Sequence, residues 1–289
     1  METKILSGKP VAKRIKALTK EMINQNDLKP VLVVMIVGHD SASEYYIDSI
    51  IKQGAKQGVD VQIRKSDSVS SDDLAEFIHN FNSDSNVSGI IVQKPLPKSV
   101  DEHFIGKLIS PEKDVDGVNP ITVGHLYLGL DCFIPCTAEA ILEIIKFYDI
   151  KTEGKHIVVV GRSNVIGKPV YNLLLHKTST GNATVTVCHS KTKELEKYTK
   201  QADVLITAVG SAKLIKKEMI KENCIIIDAG INKIGDIDGK SVFVGDVDYD
   251  DCFEKCQAIT PVPGGVGSVT TSVLLNHVVR SKKKMQKIK

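Results

Sequence analysis

The chain has 289 residues, 42% of them hydrophobic and 25% charged, the balance of a globular protein whose length suits two domains of ordinary size. A formal net charge of +3 is compatible with an anionic substrate. No apolar run reaches the roughly 18 residues of a membrane span, and the dense basic run Lys282–Lys284 lies in a tail without the aromatic interleaving of a nucleic-acid surface.

The first stretch, Met1–Gln25, is basic but carries Glu2 and Glu21 and lacks an apolar core or cleavage site, so it reads as part of the mature protein, with an amphipathic helix over Lys9–Ile23. Pro30–Val37 (PVLVVMIV) is a continuous β-branched run that fits a buried strand. Ser43–Gly58 reads as a helix, Val59–Arg64 as a strand, Ser71–Asn80 as a helix and Val87–Gln93 as a second buried strand. That order implies a parallel sheet with crossovers. Alternation stops at Asp131–Thr137, where Pro135 breaks the pattern, and the hinge is expected there. It restarts with a strand at His156–Val160, a helix at Gly167–His176, and strands at Ala183–Cys188, Asp203–Ala208 and Cys224–Asp228. An apolar helix at Leu274–Arg280 is expected to return to the first domain. The expected class is therefore α/β with two domains: residues 1–136 completed by the C-terminal helix 270–289, and residues 137–269, with a cleft between. The six cysteines are too sparse for a disulfide framework and imply a reducing, cytoplasmic compartment. Cys132/Cys136 and Cys252/Cys256 lack the spaced partners of a zinc site, so no metal is expected.

The strand His156–Val160 runs into Gly161-Arg162-Ser163-Asn164-Val165-Ile166-Gly167 and then a helix opened by Pro169, which suits a first turn. A glycine-bounded turn at a helix N-terminus lets backbone amides approach a pyrophosphate. Ser163 stands where the usual dinucleotide pattern has its second glycine. The next strand ends in His189-Ser190-Lys191-Thr192, without the carboxylate that binds ribose hydroxyls in NAD sites. Ser190 offers a hydrogen bond, Lys191 a charge and Arg162 a guanidinium fork, so NADP is favoured.

Segments along nearly the whole chain carry a resemblance: Ser41–Gly58 (SASEYYIDSIIKQGAKQG), Val92–Pro97 (VQKPLP), Pro111–Gly117 (PEKDVDG), Phe133–Thr137 (FIPCT), Val160–Pro169 (VGRSNVIGKP), Cys188–Thr192 (CHSKT), Ile227–Asn232 (IDAGIN), Val244–Val247 (VGDV) and Thr260–Gly267 (TPVPGGVG). In this order they resemble the methylenetetrahydrofolate dehydrogenase/methenyltetrahydrofolate cyclohydrolase family. The resemblance implies an N-terminal α/β folate domain, a Rossmann-type parallel-sheet NADP domain, tetrahydrofolate substrates and a homodimer. It implies that Tyr46 stacks on the aminobenzoyl ring, that Asp116 holds the pterin, and that Gln93 lines the same pocket. It places Gly161, Arg162, Ser163, Gly167, Ser190, Lys191 and Ile231 at the cofactor, and Pro263, Gly264 and Gly265 in a loop over folate and nicotinamide.

One departure bears on the second activity. The family has a lysine one helical turn after the tyrosine, where this chain has Ile50, and isoleucine neither gives nor takes the proton that hydrolysis must move. Lys52 falls on the far side of the helix, and Lys56 lies about 15 Å along the axis. Lys94, next to Gln93 at a strand end, is the remaining candidate, although strand alternation would turn it away. The expectation is a dehydrogenase whose cyclohydrolase activity is weak or absent, with any residual activity depending on Lys94, and with the fully bifunctional enzyme and a non-catalytic folate or dinucleotide binder as alternatives. Ser268, where the family commonly has proline, is a second departure, and it predicts a more mobile loop.

Overall fold

The β-branched runs form two separate parallel sheets. The computed structural model describes residues 2–38, 41–66, 70–94, 96–97, 100–237 and 240–287. Pro95 and the side chains of residues 41–45, within two of the segments quoted above, lie outside this description. In chain order the elements are β1 (Lys4–Ile5), α1 (Gly8–Asn26), β2 (Val31–Val37), α2 (Ser41–Gln57), β3 (Asp60–Ser66), α3 (Ser71–Ser83), β4 (Val87–Val92), α4 (Glu102–Leu108), α5 (Pro120–Leu128) and α6 (Cys136–Phe147). They continue with β5 (His156–Val160), α7 (Gly167–Leu175), β6 (Thr184–Cys188), α8 (Glu196–Thr199), β7 (Val204–Thr207), β8 (Ile225–Asp228), β9 (Asn232–Ile237), β10 (Lys240–Val244), α9 (Tyr249–Phe253), β11 (Ala258–Ile259) and α10 (Val266–Lys287). The chain groups into two units, residues 13–136 with 271–289 and residues 1–12 with 137–270.

In the first unit three parallel strands run in the order β3-β2-β4. The central strand, β2, is buried along nearly its whole length, which explains why its sequence is an apolar run without alternation. Val33, Met35, Leu74, Ile78, Ile90 and Ile105 form the core beneath it. A capping box starts α3: the Ser70 hydroxyl accepts from Asp73 N–H at 3.1 Å and the Asp73 carboxylate accepts from Ser70 N–H at 3.1 Å. Its far end is closed by Lys113, whose buried ammonium donates to the carbonyls of Phe81 (2.8 Å), Asn82 (2.7 Å) and Asp84 (2.7 Å), meeting carbonyls that the helix leaves without partners.

The second unit carries a six-stranded parallel sheet, order β1-β11-β8-β7-β5-β6, over a core that includes Val158, Val160, Leu205, Ile226 and Ile259. Residues 1–12 group with this unit, where the sequence reading put them in the first domain. The reason is β1, which pairs with β11 (Lys4 with Ala258, Ile5 with Ile259) and is too short to show periodicity. The antiparallel β9–β10 pair also escaped the sequence reading. Helix α10 begins at Val266, ahead of the expected Leu274, because its first turns bury Thr270, Thr271 and Ser272; Thr270 satisfies its hydroxyl on the Val266 carbonyl at 3.3 Å, so polar residues stand on a buried face. Among the described residues no helix is long and apolar enough to cross a membrane.

Candidate functional site

In the three-stranded sheet the chain leaves β2 toward β3 on one side and returns as β4 on the other. The carboxyl ends of β2 and β4 therefore make a topological switch point, the place where parallel α/β sheets take ligands. Gln93 follows β4 there, its N–H donating to the Met35 carbonyl at 2.8 Å and its side-chain amide to the Lys94 carbonyl at 2.9 Å. The 111–117 segment lies beside β4, with Ile90 N–H donating to Lys113 O at 2.9 Å.

Within that segment each polar residue has a distinct task. Lys113 closes α3, and buried Asp114 accepts from Val118 N–H at 2.9 Å and Asn119 N–H at 2.8 Å. Gly117 turns the chain at φ +66°, where a Cβ would stand 2.7 Å from the Phe133 carbonyl, so only glycine fits. Asp116 is left half-buried, with Oδ1 accepting from Cys136 N–H at 3.3 Å. Burial pushes its carboxyl above the ordinary carboxylate range, opposed by the Cys136 thiol and N–H and by the charges of His277 and Lys94. Tyr46, half-buried on α2, has its phenol held well above its usual value, first by burial and then by the electrostatic influence of Cys136 and Asp116. Tyr46, Asp116 and Cys136 thus share one electrostatic environment.

Ile50, one turn after Tyr46, is 0% exposed, and Lys52 is exposed. Lys94 is exposed and paired with Glu102 at 2.9 Å, yet its charge still reaches Asp116. β4 ends at Val92, two residues before Lys94, so strand alternation does not by itself fix the direction of this side chain.

A second switch point lies in the six-stranded sheet, where β5 is flanked by β6 and β7. Gly161 N–H donates to Cys188 O at 2.9 Å, so Arg162 and Ser190 emerge from adjacent strand ends. At φ +136°, Gly161 packs so closely that a Cβ would lie 2.4 Å from the Ala208 carbonyl, and one on Gly167 would lie 2.2 Å from the Gly161 carbonyl. The Ser163 hydroxyl accepts from Ile166 N–H at 3.1 Å and Gly167 N–H at 3.4 Å. It thereby caps the start of α7, which gives a serine a reason to replace the second glycine. Arg162, Ser163, Ser190 and Lys191 are all exposed. The tip after β6 is shaped by His189 N–H on the Thr192 hydroxyl at 2.9 Å and Lys191 N–H on His189 Nδ1 at 3.1 Å. No carboxylate stands between Thr184 and Lys193, so the site fits a 2′-phosphate better than bare ribose hydroxyls.

Ile231 follows β8 and is exposed. The Pro263–Gly265 loop is tied to the start of α1 by Gly8 N–H on Gly264 O at 2.8 Å. Ser268 N–H donates to Gly265 O at 3.1 Å, a bond proline lacks, so this departure carries an anchor of its own.

Two functional-looking residues were not singled out by sequence. Asp228 and Asp246 are both buried at strand ends, and burial pushes the Asp228 carboxyl up to about 6. Their signal was a carboxylate at the end of an apolar run, in the IDAGIN and VGDV segments. Among the described residues no group of three His, Cys, Asp or Glu side chains is arranged to hold a metal.

Comparison with known proteins covers both units. The tetrahydrofolate dehydrogenase/cyclohydrolase catalytic-domain model matches residues 6–116, and the corresponding NAD(P)-binding-domain model matches residues 135–286. A protein of Chloroherpeton thalassium named bifunctional protein FolD is 46% identical over 286 residues, spanning 96% of this chain and 97% of that protein. The crystal structure of the Campylobacter jejuni bifunctional enzyme FolD superposes with a TM-score of 0.91 at 39% identity, covering 98% of this chain and 99% of that one. The Trypanosoma brucei FolD complexed with NADP cofactor and inhibitor superposes at 0.92 with 31% identity, covering 98% of each chain.

Proposed function

Because the chain belongs to the tetrahydrofolate dehydrogenase/cyclohydrolase family, we propose that it oxidises methylenetetrahydrofolate to methenyltetrahydrofolate with NADP and then hydrolyses the methenyl product to 10-formyltetrahydrofolate. The observation that carries the reading is Asp116, a half-buried carboxylate with one backbone donor, in the same environment as Tyr46. A pterin presents a row of N–H donors and a conjugated tail, which are what a carboxylate and a flat aromatic recognise. In this reading Asp116 and Gln93 bind the pterin edge, Tyr46 stacks on the aminobenzoyl ring, and Pro263, Gly264 and Gly265 close over the substrate.

Gly161 and Gly167 let backbone approach a pyrophosphate. Ser163 holds the loop, Arg162, Ser190 and Lys191 take the 2′-phosphate, and Ile231 lies against the cofactor. When bound, NADP supplies the hydride acceptor. The protein's part in that step is to orient the methylene carbon and exclude water.

Hydrolysis adds water to the cationic methenyl carbon and breaks one of its two C–N bonds. One proton of the water passes through Asp116, raised by burial, to the departing ring nitrogen and the other goes to solvent, while Lys94 supplies the positive charge that Ile50 does not. The relatives' bifunctional names support retention of this step. The complete burial of Ile50 favours a second reading, a dehydrogenase alone. The six cysteines, none of them in a disulfide, support a cytoplasmic compartment, and family membership supports a homodimer.

The test follows cofactor reduction and methenyl absorbance in one cuvette, for wild type and Lys94→Ala. Reduction without methenyl accumulation is expected for wild type. Lys94→Ala is expected to accumulate methenyl product, its hydrolysis slowed about 10-fold. Accumulation at the uncatalysed rate in wild type leaves the dehydrogenase alone, and absence of reduction overturns both activities.

A further inference from the structure

We infer that His277 is a positioning residue for Asp116, fixing the peptide that carries the carboxylate and the cysteine that orients it. The inference rests on the reading of Asp116 as the carboxylate that binds the folate.

His277 lies on α10 with 0% of its surface exposed, among the buried apolar residues Leu274, Leu275, Val278 and Val279. A histidine inside such a run needs a polar partner to offset its burial. Its Nδ1 stands 2.8 Å from the carbonyl oxygen of Val115. A carbonyl only accepts, so Nδ1 carries the hydrogen and donates. Val115 immediately precedes Asp116, and the bond therefore pins the peptide unit from which the carboxylate projects.

The Cys136 thiol closes a triangle with the same two atoms. Its Sγ is 3.4 Å from the Val115 carbonyl oxygen and 3.8 Å from His277 Nδ1. The N–H of Cys136 is the group that donates to Asp116 Oδ1 at 3.3 Å. One imidazole thus touches both the residue before Asp116 and the residue that binds its carboxylate. On the other side the Phe133 ring lies 5.1 Å from the His277 ring, tilted by 44°, which limits imidazole rotation. Gly117, at φ +66°, fixes the chain on the far side of Asp116. With both flanks held, the carboxylate has few orientations left, and a bidentate contact to a pterin edge depends on that orientation.

The experiment compares His277→Leu, which removes the donor, with His277→Asn, whose side-chain amide reaches about as far as Nδ1. Asp116→Asn runs in parallel, and NADP affinity is measured for every variant as a check on folding. His277→Leu is expected to raise KM for methylenetetrahydrofolate about 10-fold, with kcat within about 3-fold and NADP affinity unchanged, as follows from losing one buried hydrogen bond. His277→Asn is expected within about 3-fold of wild type. A residue that merely fills the core would lower Tm in His277→Leu and leave KM alone; that result overturns the inference, as does an equal KM rise in both variants. If His277→Leu does not fold, His277→Gln replaces it. The longer side chain misplaces the donor, and a KM equal to that of His277→Asn overturns the inference in the same way. Unchanged folate KM in Asp116→Asn would instead refute the assignment of Asp116 itself, so the two failures are separable.

Discussion

Asp246, at the carboxyl end of the six-stranded sheet, accepts from the amides of Val209 (2.6 Å), Gly210 (3.2 Å) and Ser211 (2.9 Å) and from the Asn232 side chain (3.0 Å). Asp228 beside it accepts from the Thr207 hydroxyl at 3.0 Å and from the N–H groups of Gly230 and Val247, each at 2.9 Å. Asp116, at the carboxyl end of the three-stranded sheet, has a single backbone donor at 3.3 Å and a thiol. The same residue type therefore stands at the carboxyl ends of strands in both sheets in opposite states. A carboxylate saturated by the chain's own amides holds loops in place, whereas one left with free lone pairs has capacity for a ligand's N–H groups.

The sharpest way to break this comparison is Asp116→Asn. Half of the acceptor capacity becomes donor, facing the N–H groups of a pterin, and kcat/KM for methylenetetrahydrofolate is expected to fall about 100-fold, equivalent to about 2.7 kcal/mol. Thermal stability and NADP affinity are expected to stay near wild type, because no loop depends on that carboxylate. A large drop in Tm would place Asp116 with the saturated carboxylates.

The next effect lies at the other switch point. Arg162→Ala removes the guanidinium fork while Gly161 and the Ser163 cap remain. KM for NADP is expected to rise about 10- to 30-fold with the NAD rate unchanged, since only the 2′-phosphate differs between the cofactors. Equal loss with both cofactors would make Arg162 a pyrophosphate or structural contact.

Sequence made the strands legible wherever a sheet buries both faces. His156–Val160 matches β5 residue for residue, and the other long parallel strands differ only at their ends. The glycine loop was legible because its residue types follow from close backbone approach, which Gly161 and Ala208 display. What stayed hidden depends on pairing between distant residues. β1 has two residues and exists through Ala258 and Ile259. His277 looks like an interruption in an apolar helix until Val115 is placed beside it. Lys94 was judged by strand periodicity, which no longer applies once β4 has ended at Val92. Asp228 and Asp246 gave no local sign of the amides that surround them.

The smallest expected effect tests the saturated side directly. Burial raises the Asp228 carboxyl to about 6, helped by the charge of Asp246 and opposed by the bonds from Val247, Gly230 and Thr207. The unfolded chain has this group near the ordinary value of about 3.9. Because the folded value is the higher one, the folded state binds the proton more tightly. The resulting stabilisation is fully present below about pH 3.9 and is lost as pH rises through about 6. Between pH 5 and pH 7 this group is expected to cost the protein about 1 kcal/mol of stability. Asp228→Asn cannot titrate, so its stability should fall by about 1 kcal/mol less than wild type across the same interval, whatever its absolute value at either pH. Urea unfolding at the two pH values measures the difference. Parallel losses in both proteins would mean that the surrounding amides hold Asp228 ionised throughout, and that saturation by backbone donors outweighs burial at this strand end.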